Sequence, residues 1–475
     1  MTRRVLSVAS ECAPLVKTGG LADVVGALPA AMAPEGWELR TLIPGYPAVM
    51  KALGKRAKPV LSDDDLFGGP AWLLSGKLGA LDLLVLDAPH LFDRPGNIYL
   101  GPDGKDWPDN PERFAALSYM AASIGVDGAG GWVPDLIHGH DWQAGFTPTY
   151  LRAAGRRVPV LMTIHNIAFN GPAPPERLFQ LRLPRERFTS EGFEFYGIIS
   201  ALKAGLVDAD AISTVSPTYA RELKTPDYGM GLDGVIRARA ADLHGILNGI
   251  DEEVWSPATD PLAINYKSPR GKAKAKAALQ KRFGLADAPG PLAIVVSRLT
   301  DQKGLDLLLD ALPAFLDAGG ALALLGTGAG ELEAGFTAAA QRSDRVGVQI
   351  GYDEALSHQM FAGGDAVLVP SRFEPCGLTQ MYGLRYGTVP LVARTGGLAD
   401  TVIDANDAAL RAGVATGIVV APGRVDSLEE GLQRLCALYS DTPGCTRVQR
   451  NGMKHPVGWA ASARDYAALY AQLTG

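Results

Sequence analysis

Short apolar runs recur along this chain, each closed by a glycine-rich or polar turn and followed by a helical pattern. In the first half they are RVLSVAS, ELRTLIP, LDLLVLDA, PDLIHGHD, PVLMTIHN, AISTVSP and HGILNGID. In the second they are PLAIVVSRL, GALALLGTG, RVGVQIGY, DAVLVPSR, VPLVART and TGIVVAP. Near-continuous apolar strands alternating with helices require parallel sheets covered on both faces. The expectation is therefore an α/β chain with doubly wound sheets. At 475 residues it is too long for one ordinary core. The polar, turn-rich stretch LNGIDEEVWSPATD (Leu247 to Asp260) divides it. This gives an N-terminal domain over 1–250, a C-terminal domain over 251–455 and a final helix, 456–475, that packs back onto the first domain. The segment GKAKAKAALQKRFGL reads as a solvated helix whose basic run binds nothing.

The formal charge of -6 argues against nucleic acid, whose binders are usually basic. Cys12, Cys376, Cys436 and Cys445 show neither disulfide-like nor metal-type spacing, which fits a reducing cytosol. In the opening MTRRVLSVASECAP the apolar stretch before Glu11 is only about five residues, short of the roughly 7–15 of an export signal. No window reaches the ~18 apolar residues of a membrane span. A cytoplasmic protein without a membrane partner is expected.

In open parallel sheets ligands bind beyond the carboxyl ends of the strands, and the unusual clusters of this sequence fall there. The hexapeptide TGGLAD occurs twice, in KTGGLADVVGALP (Lys17 to Pro29) and in RTGGLADTVIDA (Arg394 to Ala405). Paired glycines at a helix start allow backbone amides to approach a phosphate, and Lys17 and Arg394 precede the copies. Either copy alone reads equally as a tight turn. Both together suggest corresponding helix starts in the two domains, aimed into a shared cleft.

SRLTDQKG sets Arg298 and Lys303 five residues apart beyond a strand, a spacing suited to a departing diphosphate or to an ordinary surface loop. SRFEPCGLTQMYGLRYG places Glu374 in a turn ahead of a helix. That carboxylate suits sugar hydroxyls or anomeric charge, and the amides of Cys376, Gly377, Leu378 and Thr379 suit hydroxyl or phosphate oxygens. HGHDWQAG and TIHNIAFNG supply His138, His140, Asp141, His165 and Asn166. Their spacing fits hydrogen-bonded structural residues or a sugar pocket better than a metal cage. GTGAGE lacks the dinucleotide glycine spacing, and neither a nucleophile elbow nor a Walker loop occurs.

With these clusters in order, the chain resembles bacterial glycogen synthases and plant starch synthases over essentially its whole length. KTGGLADV, HGHDW, TIHN, LNGID, SRLTDQKG, SRFEPCGLTQMYG and RTGGLAD carry the resemblance. It implies a glycosyltransferase-B fold of two Rossmann-like domains facing across a cleft. The implied reaction is retaining transfer of glucose from ADP-glucose to an α-1,4-glucan, without metal or cofactor. Implied catalytic residues are Asp141, His165, Arg298, Lys303 and Glu374. Implied donor contacts come from Lys17, Gly19, Gly20 and Asp23, from Asn248, from Tyr352 beside adenine, from Cys376 to Thr379, and from Thr395, Gly396 and Gly397. Tyr382 joins this set, standing where many retaining relatives of the fold carry a second glutamate. No side chain stands out as a covalent nucleophile, so front-face attack assisted by the leaving phosphate is expected. UDP-glucose is the alternative donor.

Overall fold

The computed structural model describes residues 3–54, 57–155 and 158–475, so Met1 and Thr2 of the opening segment lie outside it. The chain forms two compact units, one of Met1–Asn248 with Trp459–Gly475 and one of Gly249–Gly458.

The first unit is built on a nine-stranded sheet. In spatial order the strands are Leu243–Gly245, Ala211–Thr214, Val160–Ile164, Leu136–His140, Arg3–Val8, Trp37–Pro44, Leu81–Asp87, Ala71–Leu78 and Lys58–Asp63. The strands from Leu243–Gly245 through Leu81–Asp87 run parallel. The last two pair antiparallel, which corrects the expectation of a purely parallel sheet. These two were missed because their burial is patchy, and KPVLSD carries a proline and charges suited to an edge.

Side-chain alternation explains the unbroken apolar runs. Leu6 and Val8 face one core with Leu42, Val85, Ile137 and Met162. Val5 faces the other with Leu39, Leu136, Leu161 and Ala211. The second core is closed by Val24, Leu28 and Met32 of helix Gly20–Met32 and by Tyr466, Leu469 and Tyr470 of helix Ala460–Thr474. A small antiparallel sheet of Pro172–Ala173, Ile198–Ser200 and Glu194–Phe195 accompanies this unit.

The second unit has a six-stranded sheet, parallel throughout. Its order is Val346–Ile350, Ala321–Gly326, Leu292–Val296, Ala366–Val369, Val389–Ala393 and Ile418–Val420. The helix Lys272–Phe283 departs from the solvated reading. Lys272 is buried, and its ammonium donates to the carbonyls of Phe361, Ala362 and Tyr386 and to the hydroxyls of Tyr266 and Thr388. Burial pushes its pKa down to about 7. Among the described residues no helix is long and apolar enough to cross a membrane.

Candidate active site

Each sheet reverses its winding once. In the first unit the reversal lies between Arg3–Val8 and Leu136–His140, and in the second between Leu292–Val296 and Ala366–Val369. The loops leaving these four strands are where an open sheet leaves a crevice. They carry Lys17 and Gly19, Asp141, Arg298 and Lys303, and Glu374 respectively.

This topology overturns one expectation. The first TGGLAD follows the strand at the reversal of its sheet, whereas the second follows Val389–Ala393, one strand away from the reversal. SRLTDQKG, not RTGGLAD, is the topological counterpart of the first copy. The two copies also differ locally. The first opens the 13-residue helix Gly20–Met32, and the second opens a helix of only six residues, Gly396–Thr401.

Nor are the amides of Thr18, Gly19 and Gly397 left without protein partners. Glu11, nearly fully buried, accepts from the Thr18 amide at 2.5 Å and the Gly19 amide at 3.2 Å. It also accepts from the Thr18 hydroxyl at 2.5 Å and the Tyr99 hydroxyl at 2.6 Å. Lys17 pairs with Asp23 at 2.8 Å. In the second copy the Gly397 amide donates to the carbonyls of Glu374 at 3.1 Å and Pro375 at 3.0 Å. That TGG therefore anchors the turn that carries Glu374. Glu11 was absent from the expected set; its signal was an acid directly beyond the first strand, facing a glycine pair.

The two loops at the reversal of the second sheet are joined to each other. Lys303 Nζ donates to Glu374 Oε2 at 2.5 Å, and Ser371 Oγ donates to the same oxygen at 2.9 Å. Arg372 pairs with Asp306 at 2.5 Å and Asp301 at 3.1 Å, and Gln302 donates to the Phe373 carbonyl at 3.2 Å. Glu374 is only 7% exposed, so the paired ammonium offsets an otherwise costly buried charge. Arg298 stays exposed beside them. Its neighbour Leu299 is bridged to GTGAGE: the Leu299 amide donates to the Thr327 carbonyl at 2.9 Å and the Ala329 amide to the Leu299 carbonyl at 2.7 Å. GTGAGE thus supports the cationic loop.

Tyr352 is 76% exposed, with its hydroxyl held by Glu354. Tyr382 lies otherwise. It is enclosed, its ring stacked on Trp255 at 3.7 Å, and Trp255 stacks on His358 at 3.8 Å. The tyrosine that replaces the second glutamate thus packs one ring face on Trp255. Cys376 is likewise buried.

In the first unit the histidines form a hydrogen-bonded chain. His165 Nε2 meets His140 Nδ1 at 3.0 Å, and His140 Nε2 meets Ser7 Oγ at 3.1 Å. His138 bonds Tyr470 at 2.7 Å and Thr163 at 2.5 Å. Burial holds His138 and His165 down at about 3 and lowers His140 as well, so all three are neutral imidazoles, one donor and one acceptor each. Asn248 is buried, and its amide oxygen finds no hydrogen-bond partner among the described residues.

Asp141 ends the strand Leu136–His140 with a left-handed φ of 55°. Its carboxylate accepts from the amides of His165 at 2.7 Å and Asn166 at 3.4 Å. Burial nevertheless lifts its pKa to about 7, against the downward pull of those two amides. A raised carboxyl pKa means that the fold favours the neutral form. Its stability contribution is fully present below about pH 4 and is lost as pH climbs to about 7. Asp141→Asn, which keeps the side-chain shape on the same backbone, removes that loss. The melting temperature of the wild type is expected to fall relative to the variant across this window and to run parallel above it. Differential scanning calorimetry at a series of pH values checks this.

The starch synthase catalytic domain family matches residues 4–238, and the glycosyl transferases group 1 family matches residues 278–455. The glycogen synthase of Paracoccus denitrificans is 61% identical, over 98% of this chain and 98% of its own. That of Jannaschia sp. is 60% identical over the same shares. The catalytic domain of starch synthase IV from Arabidopsis thaliana, solved with ADP and acarbose, superposes with a TM-score of 0.87 at 30% identity, covering 100% of both chains. Taken with the two doubly wound sheets and the loops at their reversals, these likenesses show that the chain belongs to the glycogen synthase family and has the glycosyltransferase-B fold.

Proposed function

We propose that this protein transfers glucose from ADP-glucose to the nonreducing end of an α-1,4-glucan, retaining the α configuration and releasing ADP. The bond between glucose C1 and the diphosphate oxygen breaks, and its electron pair leaves with ADP. The acceptor's 4-hydroxyl oxygen bonds C1 from the same face, and its proton passes to the departing phosphate. Charge therefore grows negative on the diphosphate and positive on the sugar, and fixed charges aimed at both lower the barrier.

In the second unit Arg298 and Lys303 take the diphosphate, Glu374 takes the sugar hydroxyls, and Tyr352 offers a flat face to the base. In the first unit Asp141 and His165 serve the sugar, Lys17 and Gly19 the donor, and the unpartnered Asn248 oxygen a ligand hydroxyl. The observation that carries the reading is the part-buried Lys303–Glu374 pair on the two loops at the sheet reversal. The ADP and acarbose held by the starch synthase IV domain support the nucleotide and glucan assignments. No step is assigned to a metal or cofactor. The proposed compartment is the cytoplasm, supported by cysteine spacing that is neither disulfide-like nor metal-type.

The test is nucleotide release from ADP-glucose and UDP-glucose, with and without glycogen. Release of ADP that depends on glycogen, with UDP-glucose much poorer, is expected. A preference for UDP-glucose, or release indifferent to glucan, overturns the donor or the acceptor assignment respectively.

A further inference from the structure

Strands Glu194–Phe195 and Ile198–Ser200 form a hairpin in which Phe195 pairs with Ile198, leaving a two-residue loop, Tyr196–Gly197. Both loop residues are left-handed, with φ of 49° and 84°. This is the type I′ pattern, whose first position favours asparagine, aspartate or glycine and penalises a bulky side chain. Local folding preference therefore argues against tyrosine here. Burial does not compensate, because Tyr196 is 82% exposed. A residue that breaks a local rule without packing gain is where function is to be sought.

The surroundings hold this ring in place. Phe195 meets it edge to face, with ring centroids 4.7 Å apart. A Cβ built on Gly231 would lie 3.2 Å from both Phe195 Cζ and Tyr196 Cε2, so the turn at Met230–Gly231 backs both rings. Met230 is itself left-handed and 44% exposed. The hairpin is tied to the chain leaving His165. Ile198–Ser200 pairs with Pro172–Ala173, seven residues on from His165, and Ser200 Oγ donates to the Asn170 carbonyl at 3.0 Å. In the same connecting segment Phe169 is 55% exposed.

We propose that Tyr196, flanked by Met230, is a stacking platform for a glucose unit of the acceptor chain, away from its reacting end. A pyranose ring offers a face of C–H groups and a rim of hydroxyls, which matches a flat ring with a polar tip. This inference rests on the reading of the acceptor as an α-glucan. A platform of this kind serves long acceptors and not short ones, and it leaves the chemistry of C1 untouched.

Tyr196→Asn and Tyr196→Ala test it, with initial rates measured against glycogen and against maltose at saturating ADP-glucose. In both variants KM for glycogen is expected to rise about five- to tenfold, the loss of one aromatic contact. The expected kcat, KM for ADP-glucose and KM for maltose are unchanged. The asparagine variant is expected to melt at or above the wild-type temperature, since Asn-Gly suits the turn better. An unchanged KM for glycogen in both variants overturns the platform. A changed molecular mass with unchanged kinetics overturns it in favour of contact with a second copy. If wild type releases no ADP with glycogen, the acceptor reading has failed. Retardation of wild type and variants in a glycogen-containing native gel then decides the platform separately.

Discussion

Lys303→Ala is expected to slow glycogen-dependent ADP release by about 10²–10³-fold, chiefly through kcat. Two effects add. The leaving diphosphate loses a cation that acts as its charge develops. Glu374, nearly fully buried, also loses the ammonium bonded to its Oε2 at 2.5 Å, and a buried carboxylate without its partner is costly. Glu374→Gln separates the two. It removes the buried charge while keeping the shape, so the double variant Lys303→Ala/Glu374→Gln is expected to regain stability but not rate. Steady-state kinetics beside urea denaturation of the same proteins reads both. A Lys303→Ala enzyme with wild-type kcat removes this lysine from the leaving-group role.

Gly396→Ala and Gly19→Ala are expected to fail in opposite ways, although each alters a TGG of the same hexapeptide. A Cβ on Gly396 would stand 1.9 Å from the Glu374 carbonyl oxygen, and the residue is left-handed at φ 43°. Backbone cannot yield as a flexible side chain does, so roughly 2–4 kcal/mol of stability is lost. The melting midpoint then drops by roughly 5–10 °C. At Gly19 nothing lies within 4 Å of an added Cβ and the backbone is extended, so stability is expected to hold. If the donor meets this loop, the added methyl group occupies its space and KM for ADP-glucose rises about tenfold. Calorimetry and donor titrations on the two variants together decide it. A Gly19→Ala protein with normal KM excludes close donor approach there.

The doubled hexapeptide shows where sequence reading reaches its end. Six identical residues do not encode one task, because what a glycine pair does depends on which backbone arrives opposite it. In one copy the opposing group is the carboxylate of Glu11, and in the other the carbonyl of Glu374. Both partners stand at other places in the chain. Tyr382 teaches the same lesson: residue order gives no sign that its ring stacks on Trp255, more than a hundred positions earlier. Lys272 sits in a run that reads as solvated, yet carbonyls from two distant segments enclose it.

Parallel architecture and the loops bearing Arg298, Lys303 and Glu374 were legible from residue order. Strand apolarity and turn chemistry are local properties, written within a few neighbouring positions. The hydrogen-bonded partners within each unit, the raised acid at Asp141 and the histidine chain ending at Ser7 came only from folding. They depend on non-local approach and on the exclusion of water, and neither is a property of any short stretch of chain.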